Sequence, residues 1–222
     1  MNFNDRVVIV TGAATGIGCA TAKVLSEMGA SLALCDVNYD GLEKLNEEIG
    51  KSDIMISRCD VSDETQINNF VNKTIERFGK IDVLINNAGV YSMNDGFMTQ
   101  NSGEWKKKID INILGTLYIT KAVLNNMMKN KYGKIVNISS VAAIYGIPHM
   151  VDYSMTKGAV LAFTKALARE VSPYGINVNA VSPGNIHPLG TQNFPDMSLL
   201  GRSGTPEECA NVIAFLASDS AS

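Results

Sequence analysis

Apolar residues fall in two patterns along this chain: short β-branched runs, and longer stretches with helical spacing. Val7-Val8-Ile9-Val10 is a run of the first kind, and an unbroken apolar run of this length predicts a strand buried on both faces. Ser31–Cys35, Ile54–Ile56, Ile81–Ile85, Lys134–Ile138 and Ile176–Val181 are read as five further strands, the last three carrying polar residues among the apolar ones. Between the runs the period changes. Ala20, Val24, Leu25 and Met28 predict a helix stopped by Gly29. Leu42, Leu45 and Ile49 predict a second, capped by Asn38. Ile67, Phe70, Val71, Ile75 and Phe78 predict a third, capped by Ser62 and stopped by Gly79. Trp105, Ile109, Asn112, Leu117, Val123, Leu124 and Met127 predict one long helix from Ser102 to about Lys129. A loop rich in apolar groups follows the fifth strand, through Tyr145, Ile147 and Pro148. Val160, Leu161, Phe163, Leu167 and Val171 then predict a helix ending before Pro173. Thr205-Pro206-Glu207-Glu208 is a capping box that opens a last helix with Val212, Ile213, Phe215 and Leu216. Strand and helix alternate without linker or repeat. The expected fold class is therefore α/β, a doubly wound parallel sheet with helices on both faces, in a single domain over 1–222.

Composition narrows the field. The chain has 222 residues, a formal charge of -3 and 45% hydrophobic residues, which suits one large α/β domain with a real core. Mild acidity argues against a nucleic-acid surface. The one basic run, Lys106-Lys107-Lys108, reads as the wet face of a helix. No apolar stretch approaches the length of a membrane span. The first residues, Met1–Arg6, lack the layout of a signal peptide. Cys19, Cys35, Cys59 and Cys209 are far apart; free thiols in a reducing cytoplasm are the expectation.

Chemistry enters at the strand ends. Thr11-Gly12-Ala13-Ala14-Thr15-Gly16-Ile17-Gly18 lies between the first strand and the first helix, the context in which a glycine-rich loop binds a dinucleotide. Gly12 permits a tight turn, Gly16 a close approach to pyrophosphate, and Gly18 close packing of helix on strand. The phosphates would meet free N–H groups at the helix start. Such a sheet is of Rossmann type. Asp36 ends the second strand, eighteen positions past Gly18. A carboxylate there accepts hydrogen bonds from the adenosine ribose and repels a 2′-phosphate, so NAD(H) is favoured over NADP(H). Asn86-Asn87-Ala88-Gly89 ends the fourth strand, where the crevice of an open sheet takes ligands. Asn112 falls among apolar helix neighbours and needs partners if buried. Tyr153 and Lys157, four apart on one helix face, form a pair in which the ammonium lowers the phenol pKa and fits it for proton transfer. Tyr91 and Tyr145 read either as pocket lining or as packing aromatics, and His149 and His187 lie in loops beside prolines, with no nearby partner for a metal.

Taken in order, these residues resemble the classical short-chain dehydrogenases/reductases over essentially the whole chain. The resemblance implies roles. Gly12, Thr15, Gly16, Ile17 and Gly18 would form the cofactor loop, and Asp60-Val61 the adenine contact. Asn87, Ala88 and Gly89 would belong to the strand-four motif. Ser140, thirteen before Tyr153, would hold the reacting oxygen, with Ser139 out of register. Tyr153 would be the general acid/base and Lys157 would bind the nicotinamide ribose. Asn112 would order a water in a proton relay. Pro183 and Gly184 would precede the nicotinamide contacts, with the backbone of Ile186 on the carboxamide. The implied reaction is hydride transfer between NAD(H) and a small or medium alcohol or ketone, with no metal required. The resemblance also implies a homodimer or homotetramer.

Two departures accompany the resemblance. Pro188 stands where relatives carry a threonine that contacts the carboxamide, and relatives continue for about another strand. Lacking that strand, Gly175–Val181 is expected to be an unpaired sheet edge. Asn185–Gly204 shows no period and reads as a mobile lid. The loops Val90–Phe97, Val141–Val151 and Pro188–Gly201 would set the substrate. Two alternatives stay open: an NAD(H)-binding module of little turnover, or a protein kept for subunit contacts.

Overall fold

The structure, a computed structural model, describes residues 1–50, 53–93, 96–187 and 201–221. Six parallel strands form one sheet: β1 (Val7–Thr11), β2 (Ser31–Asp36), β3 (Ile54–Arg58), β4 (Val83–Asn86), β5 (Gly133–Ile138) and β6 (Ile176–Val181). Their order is β3-β2-β1-β4-β5-β6. The direction of winding reverses between β1 and β4, and this is where such sheets open a crevice for ligands. Helices α1 (Gly16–Glu27), α2 (Tyr39–Ile49) and α8 (Pro206–Ala217) cover one face, with Leu25, Leu42 and Ile213 packed on Val8 and Val10. Helices α3 (Glu64–Phe78), α5 (Gly115–Asn130) and α7 (Val151–Val171) cover the other, with Phe70, Val123 and Leu167 packed on Ile9 and Leu84. Successive side chains of a strand point to opposite faces, so the unbroken apolar runs feed both cores. The doubly wound Rossmann-type sheet is thus present. As expected, β6 is an edge strand among the described residues.

Local chemistry moved several boundaries. Asp63, not Ser62, caps α3, accepting from the N–H groups of Thr65 and Gln66. Ser62 is engaged instead by Asp60, to whose Oδ1 it donates from both N–H and hydroxyl at 2.9 and 2.7 Å. β4 begins at Val83, and the carboxylate of Asp82 just before it accepts from the N–H of Val7 at 2.8 Å. The long helix is three pieces: α4 (Ser102–Lys108), a π-helical turn (Ile109–Leu114) and α5. The expected loop after β5 holds a short helix, α6 (Ala142–Tyr145). Lys108 is not on a wet face: it is 2% exposed and paired with Asp152. Cys19, Cys35, Cys59 and Cys209 are free. No helix among the described residues is long and apolar enough to cross a membrane.

Candidate active site

At the carboxyl end of the sheet the β1 and β4 loops are stitched together. Thr11 Oγ1 accepts from the N–H groups of Asn87 and Ala88, each at 3.0 Å. Asn87 Nδ2 donates to the carbonyls of Thr11 and Gly12 at 3.0 and 2.9 Å. Gly12 has φ +63°, and a Cβ there would stand 2.8 Å from Ala88 Cα. A Cβ on Gly18 would lie 2.2 Å from the Gly12 carbonyl oxygen, so α1 seats directly on the loop. Gly16 differs: its φ is +58° and a Cβ would meet nothing within 4 Å. Thr15, the N-cap of α1, makes no side-chain cap bond, whereas Asn38, Asp63 and Thr205 cap α2, α3 and α8. The start of α1 at Gly16, Ile17 and Gly18 therefore offers open backbone N–H groups at the positive end of a helix, the chemistry that holds a phosphate. These residues fit a dinucleotide.

Asp36 is fixed beside this loop. Its Oδ2 accepts from Ala14 N–H at 3.0 Å and its Oδ1 from Asn38 N–H at 2.9 Å. The Cys59 N–H donates to the Asp36 carbonyl at 3.0 Å, bringing Asp60 alongside. Val61 is buried against the start of α5, where a Cβ on Gly115 would lie 2.7 Å from Val61 Cγ2.

Ser140, Tyr153, Lys157 and Asn112 converge on the next part of the crevice. Ser140 follows β5; its Oγ accepts from Ala142 N–H at 3.1 Å, and its hydroxyl lies near enough to the Tyr153 phenol to act on its pKa. Ser139 does something else, donating to the Lys157 carbonyl at 2.9 Å. Lys157 Nζ donates to the Ile138 carbonyl at 2.7 Å and stands 5.8 Å from the Tyr153 ring centre. Asn112 lies in the π-helical turn and is 1% exposed. Its Oδ1 accepts from Val90 N–H at 2.8 Å, and its Nδ2 donates to the Val90 carbonyl and to Thr156 Oγ1 at 2.9 and 3.0 Å. Gly89 sits between the two groups: a Cβ there would be 3.3 Å from both Asn112 Oδ1 and Lys157 Nζ. Tyr91 lies over the site, its ring 6.1 Å from that of Tyr153 and tilted 58°.

The electrostatics differ from the expectation at one residue. Burial pushes the Tyr153 phenol above its ordinary pKa, the Ser140 hydrogen bond opposes this, and Tyr91 adds to it. The lowering expected from Lys157 is not what prevails. Desolvation brings the pKa of the buried Lys157 ammonium down to about 8, so its charge is already lost at the higher pH where the phenol ionises.

Other candidates fall nearby. The Pro183 carbonyl accepts from Val141 N–H at 3.0 Å. A Cβ on Gly184 would meet nothing within 4 Å. Ile186 bridges to Gly204, and the flanking groups make the bonds: His187 N–H to the Gly204 carbonyl, and Gly204 N–H to the Asn185 carbonyl, each 2.9 Å. Pro188 and most of the expected lid lie outside the described residues. His149 has a left-handed backbone, φ 66°. Tyr145 is 79% exposed. Among the described residues no group of three His, Cys, Asp or Glu is placed to hold a metal ion. Sequence reasoning missed Thr156, which donates to the Tyr153 carbonyl at 2.9 Å, and the Lys108–Asp152 pair at 2.5 Å.

Known proteins with this arrangement place the chain. A family model described as short chain dehydrogenase matches residues 6–197. The 3-oxoacyl-[acyl-carrier-protein] reductase FabG of Thermotoga maritima is 38% identical over 235 residues, covering 100% of this chain and 94% of its own. The chain belongs to the short-chain dehydrogenase family. Within that family it also resembles an L-fucose dehydrogenase of Bos taurus, 36% identical, with 98% of this chain and 84% of the relative covered. Among solved structures, an NAD+-bound xylitol dehydrogenase is 35% identical with a TM-score of 0.92, covering 99% of this chain and 95% of that one. A levodione reductase is 35% identical with a TM-score of 0.94, covering 99% and 93%.

Proposed function

We propose that this short-chain dehydrogenase interconverts a small or medium alcohol and its ketone with NAD(H), Tyr153 being the general acid/base. The observation that carries the reading is the hydroxyl pair of Ser140 and Tyr153 at the end of β5, with the Lys157 ammonium beneath the phenol. The bound nicotinamide would supply or accept the hydride. Tyr153 gives its proton to the carbonyl oxygen in reduction and takes it from the alcohol in oxidation. Ser140 donates a hydrogen bond to the same oxygen and fixes it within reach. Lys157 places a positive charge beside the phenolate that reduction leaves. Asn112 holds the β4 loop through Val90, and with it Gly89 against the site.

The preference for NAD(H) rests on Asp36. Two backbone N–H groups orient its carboxylate at the end of β2, where it accepts from ribose hydroxyls and repels a 2′-phosphate. Gly12, Thr15, Gly16, Ile17 and Gly18 would hold the pyrophosphate, Asp60 and Val61 the adenine, and Pro183, Gly184 and Ile186 the carboxamide end. The relatives' names, a 3-oxoacyl-[acyl-carrier-protein] reductase, an L-fucose dehydrogenase, a xylitol dehydrogenase and a levodione reductase, support the reading. Exposed Tyr91 and Tyr145 give the substrate side aromatic surface. A homodimer or homotetramer formed through the long helices belongs to the same reading, by analogy with the family. The test is a panel of ketones and alcohols read by nicotinamide absorbance with both cofactors. Turnover with NAD(H), and weaker turnover with NADP(H), supports the reading; cofactor binding with no turnover on any carbonyl contradicts it.

A further inference from the structure

Two polar rungs join the helices that carry the active-site groups. Lys108 Nζ meets Asp152 Oδ2 at 2.5 Å, and Asn112 Nδ2 meets Thr156 Oγ1 at 3.0 Å. Lys108 and Asn112 are four apart, as are Asp152 and Thr156. The rungs therefore lie one turn apart on both helices, which run side by side in the same direction. The second rung touches groups already placed in the site. The first is ionic, and both of its side chains are only 2% exposed. Its carboxylate is shared: while Oδ2 takes the ammonium, Oδ1 accepts from the Tyr153 N–H at 2.8 Å.

We propose that Lys108 and Asp152 are positioning residues for Tyr153. Replacing a buried ion pair by apolar side chains of similar volume often leaves stability unchanged or raises it, whereas removing one partner is costly. Stability alone therefore does not account for this pair. The rung instead sets the entry angle of α7. Asp152 is the second residue of α7 and Tyr153 the third, so the ammonium of Lys108 fixes the carboxylate, and the carboxylate fixes the backbone from which the phenol projects. The hydroxyl must reach both Ser140 and a substrate oxygen, and a displacement of about an ångström at such a group slows turnover by up to a hundredfold. The inference rests on Tyr153 being the general acid/base.

The experiment separates positioning from stability. Lys108→Met leaves a carboxylate buried alone and lowers Tm. Lys108→Met combined with Asp152→Leu removes both charges and restores Tm, while the acceptor for the Tyr153 N–H is gone. The expected result for the double variant is a recovered Tm, NADH affinity within about threefold of the parent, and kcat reduced about tenfold or more. Recovery of kcat together with Tm would overturn the proposal, and so would a parallel loss of NADH affinity. Should the double variant not fold, Asp152→Asn serves. It keeps the size but has one oxygen for two donors, and kcat is expected to fall several-fold at unchanged NADH affinity; unchanged kcat would overturn the proposal. Tyr153→Phe is measured alongside. If that variant keeps turnover, the acid/base reading has failed; if it is inactive while the double variant is as fast as the parent, only the positioning role has failed.

Discussion

The Lys157 ammonium donates to the carbonyl oxygen of Ile138 at 2.7 Å, inside the protein and away from water. Desolvation lowers its pKa from 10.5 to about 8. Below pH 8 the side chain is charged in both the folded and the unfolded chain, and its burial cost is constant. Between about 8 and 10.5 the unfolded chain keeps a proton that the folded chain has released, so stability rises with pH across that window. A shift of this size corresponds to about 3 kcal/mol. Urea unfolding of the protein and of Lys157→Met at both ends of the window measures it. The parent is expected to gain stability relative to the variant as pH rises; parallel curves would show that the ammonium carries no burial cost.

Tyr153 supplies a second pH signature. Burial raises its pKa above the ordinary tyrosine value, so the phenol stays protonated through neutral pH. A protonated phenol is the competent form for reduction, and the phenolate is the competent form for oxidation. The free enzyme is therefore expected to show kcat/KM for carbonyl reduction that is flat near neutrality, and kcat/KM for alcohol oxidation that climbs about tenfold per pH unit. Oxidation rates independent of pH in that range would place the proton elsewhere.

Asn112 makes three buried hydrogen bonds, two of them to the backbone of Val90. Asn112→Ala leaves the Val90 N–H and carbonyl without that partner and is expected to cost about 2–4 kcal/mol of stability. Hydrogen exchange around Gly89 and Val90 should rise more than exchange in β6. Uniform exchange across the sheet would argue against a local role.

In the proposed reading Asp36 carries the cofactor preference. Asp36→Ala removes the ribose acceptor and the charge that repels a 2′-phosphate, so the ratio of NADH to NADPH affinity is expected to fall about tenfold or more. Titration of nicotinamide fluorescence with both cofactors reads it directly, and an unchanged ratio would move the preference to another residue.

What was legible in the chain was mostly local. The limits of β6, Ile176–Val181, match the segment read as the sixth strand. The Thr205–Glu208 capping box forms as read, because its partners are three residues apart. The glycine loop was legible because strand, turn and helix are contiguous. Ser62 and Asp63 are both competent caps, and the choice fell to Asp63 because Asp60 engages Ser62 first. The π-helical turn left the apolar spacing almost untouched, so periodicity alone did not reveal it. Lys108 read as solvated because it belongs to the basic run Lys106-Lys107-Lys108, while its partner Asp152 is 44 residues away. The matched i,i+4 spacing of Lys108 with Asn112 and of Asp152 with Thr156 was the only trace of that contact in the sequence. The direction of the Tyr153 shift depended on burial, which no spacing encodes.

The central claim is that the Tyr153 hydroxyl moves the proton. Tyr153→Phe removes only that oxygen, so single-turnover carbonyl reduction by the variant, with NADH binding measured on the same sample, is the most direct test. The account predicts NADH affinity near that of the parent and a rate lower by about a thousandfold. A variant that binds NADH and reduces the carbonyl within about tenfold of the parent rate would contradict it.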